Sequence, residues 1–297
     1  MCGRARCTMR ADGFARACHL GNRPLRHINM DRYQPSYNVA PGFSLPVVHR
    51  DGEKENGVAV QCMKWGLIPS FANKNDKIDH FKMFNARAES IQEKASFRRL
   101  IPNKRCLVCV EGFYEWKKDG TKKQPYYIHF SDGSPLVLAA LFDSWKSSSQ
   151  DVMFTFTIIT TSSSTSLEWL HDRMPVILGN QESIHCWFND GMPSLQLLKP
   201  YEGKNLAWYP VTPAMGKVSF DGPDCIREVT SSHVKPISQF FSKKEDAAEV
   251  KNRGDVCMVT TGKNESSKER KCRDEEEDQS GYSSTRKKSR YDPNNKQ

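Results

Sequence analysis

From Met1 to about residue 232, apolar and β-branched runs of strand length alternate with turn-forming residues, and few stretches carry the 3.6-residue period of a helix. The clearest run, Arg105-Cys106-Leu107-Val108-Cys109-Val110-Glu111-Gly112-Phe113-Tyr114-Glu115-Trp116, reads as one long strand. It leads through Asp119-Gly120 into Pro125–Phe130, then through Asp132-Gly133 into Leu136–Phe142; Val152–Thr161 is a further β-rich segment. Asp51-Gly52, Asp119-Gly120 and Asp132-Gly133 are hairpin signals, because Asp and Gly tolerate the positive φ that tight reversals demand. Helices are predicted over Ala88–Leu100, Ser166–Asp172 and Glu182–Phe188. The pattern predicts the α+β class, as a single, mostly antiparallel, β-barrel-like domain with short helices over residues 2–232.

The pattern stops near residue 233. Beyond it run Ser242-Lys243-Lys244-Glu245-Asp246, Asp274-Glu275-Glu276-Glu277-Asp278 and Arg286-Lys287-Lys288. Such a composition buries too little apolar surface to offset the entropy of ordering, so residues 233–297 read as a disordered tail. The chain has 44 Lys and Arg against 35 Asp and Glu, a formal +9. From Val234 on there are 15 basic and 12 acidic residues, so +6 belongs to the body, a surplus that favours a polyanionic partner. The longest apolar run, Pro135–Phe142, is far short of the ~20 residues of a membrane-spanning helix. No secretory signal is expected in Met1-Cys2-Gly3-Arg4-Ala5-Arg6-Cys7-Thr8, and no membrane partner. Ten scattered cysteines in 297 residues argue for reduced thiols rather than a disulfide scaffold. Cys106-Leu107-Val108-Cys109 has metal-ligand spacing, but no second pair completes a site; no metal and no cofactor are expected.

Cys2 carries the distinctive chemistry. Loss of Met1 would leave it N-terminal, with a free α-amine and a thiol on adjacent carbons. With an amine pKa of ~7.7–8.0 and a thiol pKa of ~8.5, both groups are close to reactive at neutral pH. An amine condenses with an aldehyde to an imine, and the neighbouring thiol then closes a five-membered thiazolidine ring. The closure is intramolecular, which makes the product far more durable than the imine.

Six blocks follow in order: Met1-Cys2-Gly3-Arg4, Tyr37-Asn38-Val39-Ala40-Pro41-Gly42, Trp65-Gly66-Leu67-Ile68-Pro69, Phe84-Asn85-Ala86-Arg87-Ala88-Glu89, Glu111-Gly112-Phe113-Tyr114-Glu115-Trp116 and His171-Asp172-Arg173-Met174-Pro175. Together they make the chain resemble the SOS-response-associated peptidase family over nearly all of residues 2–232. The resemblance implies a DNA-damage enzyme that forms a covalent thiazolidine with abasic sites in single-stranded DNA, shielding them during replication. The alternatives are an autoproteolytic N-terminal cysteine peptidase or a non-catalytic reader of modified DNA bases.

The resemblance also implies roles. Cys2 is the nucleophile, Glu115 and His171 manage protons, and Asn85 orients the N-terminus or the sugar. Arg4 and Arg87 grip the DNA backbone, and Asn38, Pro41 and Thr160 line the same face. Where the family often has a tryptophan, two residues after the proline of Trp-Gly-x-x-Pro, this chain has Phe71, which still offers a ring to a base. By residue type alone Glu115 fits equally an outward position on an amphipathic strand, Asn85 a helix cap, and the arginines a solvated surface. Trp65 reads as core. In the tail, Val234-Lys235-Pro236-Ile237-Ser238-Gln239-Phe240-Phe241 (234–241) resembles a sliding-clamp-binding peptide, with Ile237, Phe240 and Phe241 in its hydrophobic positions and Val234 in place of the usual glutamine. Arg286-Lys287-Lys288-Ser289-Arg290 (286–290) fits nuclear import. The expected setting is a monomer in the nucleus, at replication forks.

Overall fold

A computed structural model describes residues 2–52, 56–75, 77–189 and 195–229. The calls on Met1, on Ile237, Phe240 and Phe241, and on 286–290 lie outside the described residues. The first half contains β1 (Ala5–Cys7), α1 (Gly13–Ala17), β2 (Leu25–Ile28), β3 (Ser36–Val39), β4 (Ser44–Arg50), β5 (Val58–Trp65), β6 (Asn85–Arg87) and α2 (Ala95–Arg98). The second contains β7 (Arg105–Val110), β8 (Gly112–Asp119), β9 (Lys122–Phe130), β10 (Leu136–Lys146), β11 (Val152–Ser162), β12 (Arg173–Pro175), α3 (Gln181–Phe188) and β13 (Leu206–Pro210).

Strands β11, β10, β7, β4 and β5 pair in that order, and β5 returns to β11 in a short parallel contact, Thr155 to Lys64 and Phe156 to Trp65. The result is a closed five-stranded barrel, antiparallel at every other seam, with β2, β6 and β12 added at its rims. Closure removes the exposed edges that an open sheet of this length would present. A second sheet, in the order β13-β9-β8-β1-β3, lies beside it. The expected α+β, barrel-like class is therefore observed. No helix among the described residues is long and apolar enough to cross a membrane.

The alternation along β8 divides the interior in two. Phe113 joins the main core with Val47, Val60, Trp65, Leu107 and Ile158, while Tyr114 points into a smaller cluster with Tyr127, Val211, Met215 and Cys225. Both strand thiols of the Cys106/Cys109 pair are buried in the main core.

Four local expectations are corrected. The run Arg105–Trp116 is two strands in two sheets, broken at Glu111. The cause is Gly112: a Cβ there would stand 2.5 Å from the Tyr127 ring, so only glycine lets the chain cross between layers at that point. Asp132-Gly133 does turn, with Gly133 at φ +74°, but it carries the chain from β9 in one sheet to β10 in the other and makes no hairpin. Ser166–Asp172 forms turns rather than a helix, and Ala88–Leu100 holds only one turn of 3-10 helix and the four residues of α2. Asp119-Gly120 and the Glu182–Phe188 helix behave as predicted. β8 and β9 pair out to Asp119 opposite Lys122 around Gly120 at φ +56°, and α3 starts with a capping box from Asn180 to Ser183.

Candidate active site

The N-terminal segment is threaded into the protein instead of fraying from it. Ala5 pairs with Phe113, and the Tyr114 N–H donates to the Arg4 carbonyl (3.0 Å), so the antiparallel run lays Cys2–Arg4 along Tyr114–Trp116. Cys2 is fully buried. Termini are ordinarily the least ordered part of a domain, so complete burial needs dedicated contacts. Asn85 supplies one: its Nδ2 donates to the Cys2 carbonyl at 2.9 Å. Asn85 Oδ1 is also buried and accepts no hydrogen bond among the described residues.

Asn85 is held by the barrel. β6 runs parallel to β11 with Asn85 opposite Ile158 and Arg87 opposite Thr160. One residue earlier, the Phe84 carbonyl accepts from the Trp65 indole N–H (2.9 Å) and from the Ile158 N–H (3.1 Å). Trp65 is fully buried and stacked near Phe156, as expected of a core residue. Its neighbour Gly66 sits at φ +114°, and a Cβ there would meet the His80 carbonyl at 2.2 Å. The Trp-Gly pair is thus a clamp on the segment that carries Asn85.

The two glutamates of the Glu111–Trp116 block do different work. Glu111 accepts from the Thr8 N–H (2.9 Å to Oε2) and from its hydroxyl, securing β1. Glu115 is 4% exposed and close enough to Cys2 to raise its thiol pKa electrostatically. Burial lifts the Glu115 carboxyl to about 7, so it exchanges a proton near neutrality. Burial first, and the Glu115 charge second, push the Cys2 thiol well above its ordinary value. The sulfur therefore rests as a thiol and needs a base to leave that state.

His171 faces the same space from the turn before β12. Its Nδ1 accepts the Arg173 N–H (3.0 Å), which sets the neutral ring's proton on Nε2. Asp172 Oδ1 stands 2.8 Å from the same Nδ1, a contact that gains only when that nitrogen is protonated. Burial pushes the imidazole pKa down, so the neutral form with Nε2–H is the resting one.

Two partnerships had no signal in the separate motifs. Arg173 forms a fork-to-fork pair with Glu89 (2.7 and 2.9 Å) and donates to the Thr160 carbonyl (2.8 Å). It so joins the block containing Asn85 to the block containing His171. Arg99 lies over the exposed Phe71 ring at 5.1 Å and is ion-paired with the buried Asp143, which also accepts from the Ser70 N–H (2.7 Å). The wedge position is therefore braced from beneath.

The expected DNA-contacting residues separate into two groups. Phe71 and Arg87 are exposed, and Arg87 borders a cleft of about 370 Å³ with Phe81, Lys82, Asn85 and Lys94. Arg4 and Asn38 instead bond within the protein: Arg4 donates to Asn38 Oδ1 (2.6 Å) and to the Met215 and Gly216 carbonyls (2.9 and 2.7 Å). Asn38 is fully buried and donates to the Met215, Lys217 and Phe220 carbonyls. Pro41 and Thr160 are buried. A cavity of about 1060 Å³ lies at the other end of β11, between Arg26, His49, Arg50 and Phe142. It is remote from Cys2 and is no part of this site.

Comparison with known proteins accounts for this arrangement. The family model described as "SOS response associated peptidase (SRAP)" matches residues 1–218. The chain belongs to the SOS response associated peptidase family. Among curated relatives, the Abasic site processing protein HMCES of Xenopus tropicalis is 33% identical over 82% of this chain and 83% of its own length. The Abasic site processing protein YoaM of Bacillus subtilis is 40% identical over 61% of this chain and 79% of its own. A crystal structure of a Bacteroides thetaiotaomicron protein superposes with a TM-score of 0.63 at 27% identity, covering 77% of this chain and all of that one. Family membership spans β1 through β13, and so takes in every group placed around Cys2.

Proposed function

We propose that this SRAP protein processes abasic sites in DNA, and that it does so by trapping the lesion covalently on Cys2 after removal of Met1. The observation that carries the reading is a buried Cys2, tied down by Asn85 and set beside a carboxyl poised near pH 7. The names of the curated relatives support the substrate class.

An abasic deoxyribose rests mostly as a closed hemiacetal. Opening it requires a proton to leave the C1′ hydroxyl and another to reach the ring oxygen. Glu115 and the Nε2–H of His171 are the groups assigned to these transfers in this reading. The Cys2 amine then adds to the freed aldehyde and water departs, leaving an imine. The thiol adds across the C=N bond, sulfur to carbon and its proton, passed through Glu115, to nitrogen. All atoms balance, and water is the only product released. Asn85 Oδ1 is an acceptor for the Cys2 amine or for a sugar hydroxyl during these steps. Arg87 and Phe71 meet the strand on the exposed face, while Arg4 and Asn38 support the Cys2 segment from beneath. Single-stranded DNA in the nucleus at replication forks is the proposed setting, with Ile237, Phe240 and Phe241 as the proposed contact to a sliding clamp.

The test is a denaturing gel of the processed protein with single-stranded oligonucleotides carrying an abasic site or an intact modified base. A heat-stable shifted band with the abasic oligonucleotide, absent in Cys2→Ala and when Met1 is retained, is the expected result. Peptide cleavage without a shift would instead make the same thiol a peptidase nucleophile, and reversible binding alone would make the protein a base reader. Cys2→Ser keeps the amine but weakens the second nucleophile. A serine adduct as durable as that of the wild type would contradict the role of sulfur.

A further inference from the structure

The β8–β9 hairpin leaves the candidate active site and projects into solvent. Phe113, Glu115 and Lys117 alternate onto one face of β8, so this face passes from core to site to exposed surface in steps of about 7 Å. The ladder stays paired to its tip, Lys117 opposite Gln124, Lys118 opposite Lys123 and Asp119 opposite Lys122. Lys117 and Lys122 are exposed on the Glu115 face of this hairpin, with Asp119 the one acid beside them, while Lys118 and Lys123, also exposed, lie on its opposite face.

An aromatic surface adjoins the lysines. Lys117 Nζ lies 4.9 Å from the Trp169 ring centre; Trp169 meets Tyr126 edge-on at 5.0 Å and Trp208 at 6.2 Å. Trp169 is 37% exposed, and its indole N–H is held by the Ser166 carbonyl (2.9 Å), so the ring is oriented while part of it faces solvent. Two acids flank it in sequence, Glu168 and Asp172, and Asp172 Oδ1 lies 2.8 Å from His171 Nδ1. Trp169 is two residues from His171, and Lys117 two from Glu115, so this surface is continuous with the candidate active site. Exposed cations next to oriented rings are what a single-stranded nucleic acid demands: charge for phosphates and a flat apolar face for an unpaired base.

We propose that Lys117, Lys122 and Trp169 form a second contact for single-stranded DNA, taking the phosphates and one base on a single side of the lesion. This rests on the abasic-site reading and adds a strand path to it. Phe71 and Arg87 are on other elements, so the two flanks of the lesion use separate surfaces.

The experiment uses the full chain with Met1 removed and an oligonucleotide bearing a tetrahydrofuran abasic analogue, which has no aldehyde. Thymidine nucleotides are added only 5′ or only 3′ of the analogue, and affinity is followed by fluorescence anisotropy at several salt concentrations. Wild-type affinity should rise with length on both flanks. The double variant Lys117→Ala with Lys122→Ala should lose about tenfold or more of the gain on one flank, and the salt slope there should fall by about 0.7 for each phosphate contact removed. Trp169→Ala should lose about fivefold or more on the same flank, the lower range of one base stacked on an aromatic ring. Retention of both gains in the variants, loss of both in equal measure, or no length dependence in the wild type would each overturn the proposal. The underlying reading fails separately, if an aldehyde-bearing oligonucleotide gives no covalent product with the wild type.

Discussion

Glu115 shows how one residue's environment sets its task. Glu111, four positions earlier, spends both carboxylate oxygens on Thr8, whereas Glu115 is enclosed by burial that lifts its carboxyl from 4.5 to about 7. A carboxyl raised in this way binds more protons in the folded chain than in the unfolded one between those values. Its contribution to stability therefore falls as pH rises through about 4.5 to 7 and stays low above. Glu115→Gln removes that penalty. At pH 8 the variant should be more stable than the wild type by about 3 kcal/mol, the linkage equivalent of the shift, and at pH 4 it should show no such gain. The same substitution should slow crosslinking about 100-fold or more, because glutamine carries no transferable proton. Denaturant melts at the two pH values and a gel time course check both. A variant equally stable at pH 8 and fully active would remove Glu115 from the mechanism. The residue type and motif made Glu115, Asn85 and His171 legible as a set, but not their surroundings. Burial of the Cys2 segment and the Arg173–Glu89 fork join positions 84 residues apart, and no local pattern encodes such a contact.

At the level of elements, the strands were readable and their partners were not. Alternation and β-branched content mark Val152–Thr161 and Leu136–Phe142, because both lie in a barrel wall, though β10 runs four residues further, to Lys146. Three-residue strands such as β6 and β12 hold too few positions to show a period, yet they carry Asn85 to the site and follow His171 into it. The break between β7 and β8 was hidden for another reason. Gly112 is a single residue within an apolar run, and the Tyr127 ring that demands it comes from another strand. Gly66 is the same kind of position, and here the demand is testable. Gly66→Ala places a methyl group against the His80 carbonyl at a φ that L-residues resist, a cost of about 2–3 kcal/mol. For a domain of this size the melting temperature should fall by about 4–12 °C. Crosslinking should weaken with it, since the Trp65 clamp on the Phe84 carbonyl shifts. A variant that melts as the wild type does would show that the Trp-Gly segment holds nothing in place.

For the whole molecule the question is which part of the chain the chemistry needs. Among the described residues, the two apolar clusters and the groups around Cys2 lie within residues 2–229. The body also holds +6 of the formal +9, so most of the attraction for a polyanion resides there rather than in the mixed charges beyond Val234. A chain ending at Ser232 should therefore melt at the same temperature as the full protein. It should form the abasic adduct to the same yield and show the same salt slope for undamaged single-stranded DNA, because that slope counts phosphates neutralised at the site and not distant charge. What the shortened chain should lose is only the proposed functions of the tail: the proposed clamp contact through Ile237, Phe240 and Phe241, and the proposed import signal at 286–290. Three measurements on one purified pair decide this. A lower melting temperature would move the domain boundary past Ser232. A shallower salt slope would place phosphate contacts in the tail. An unchanged slope with a lost adduct would mean that residues after 232 help to shape the Cys2 site itself.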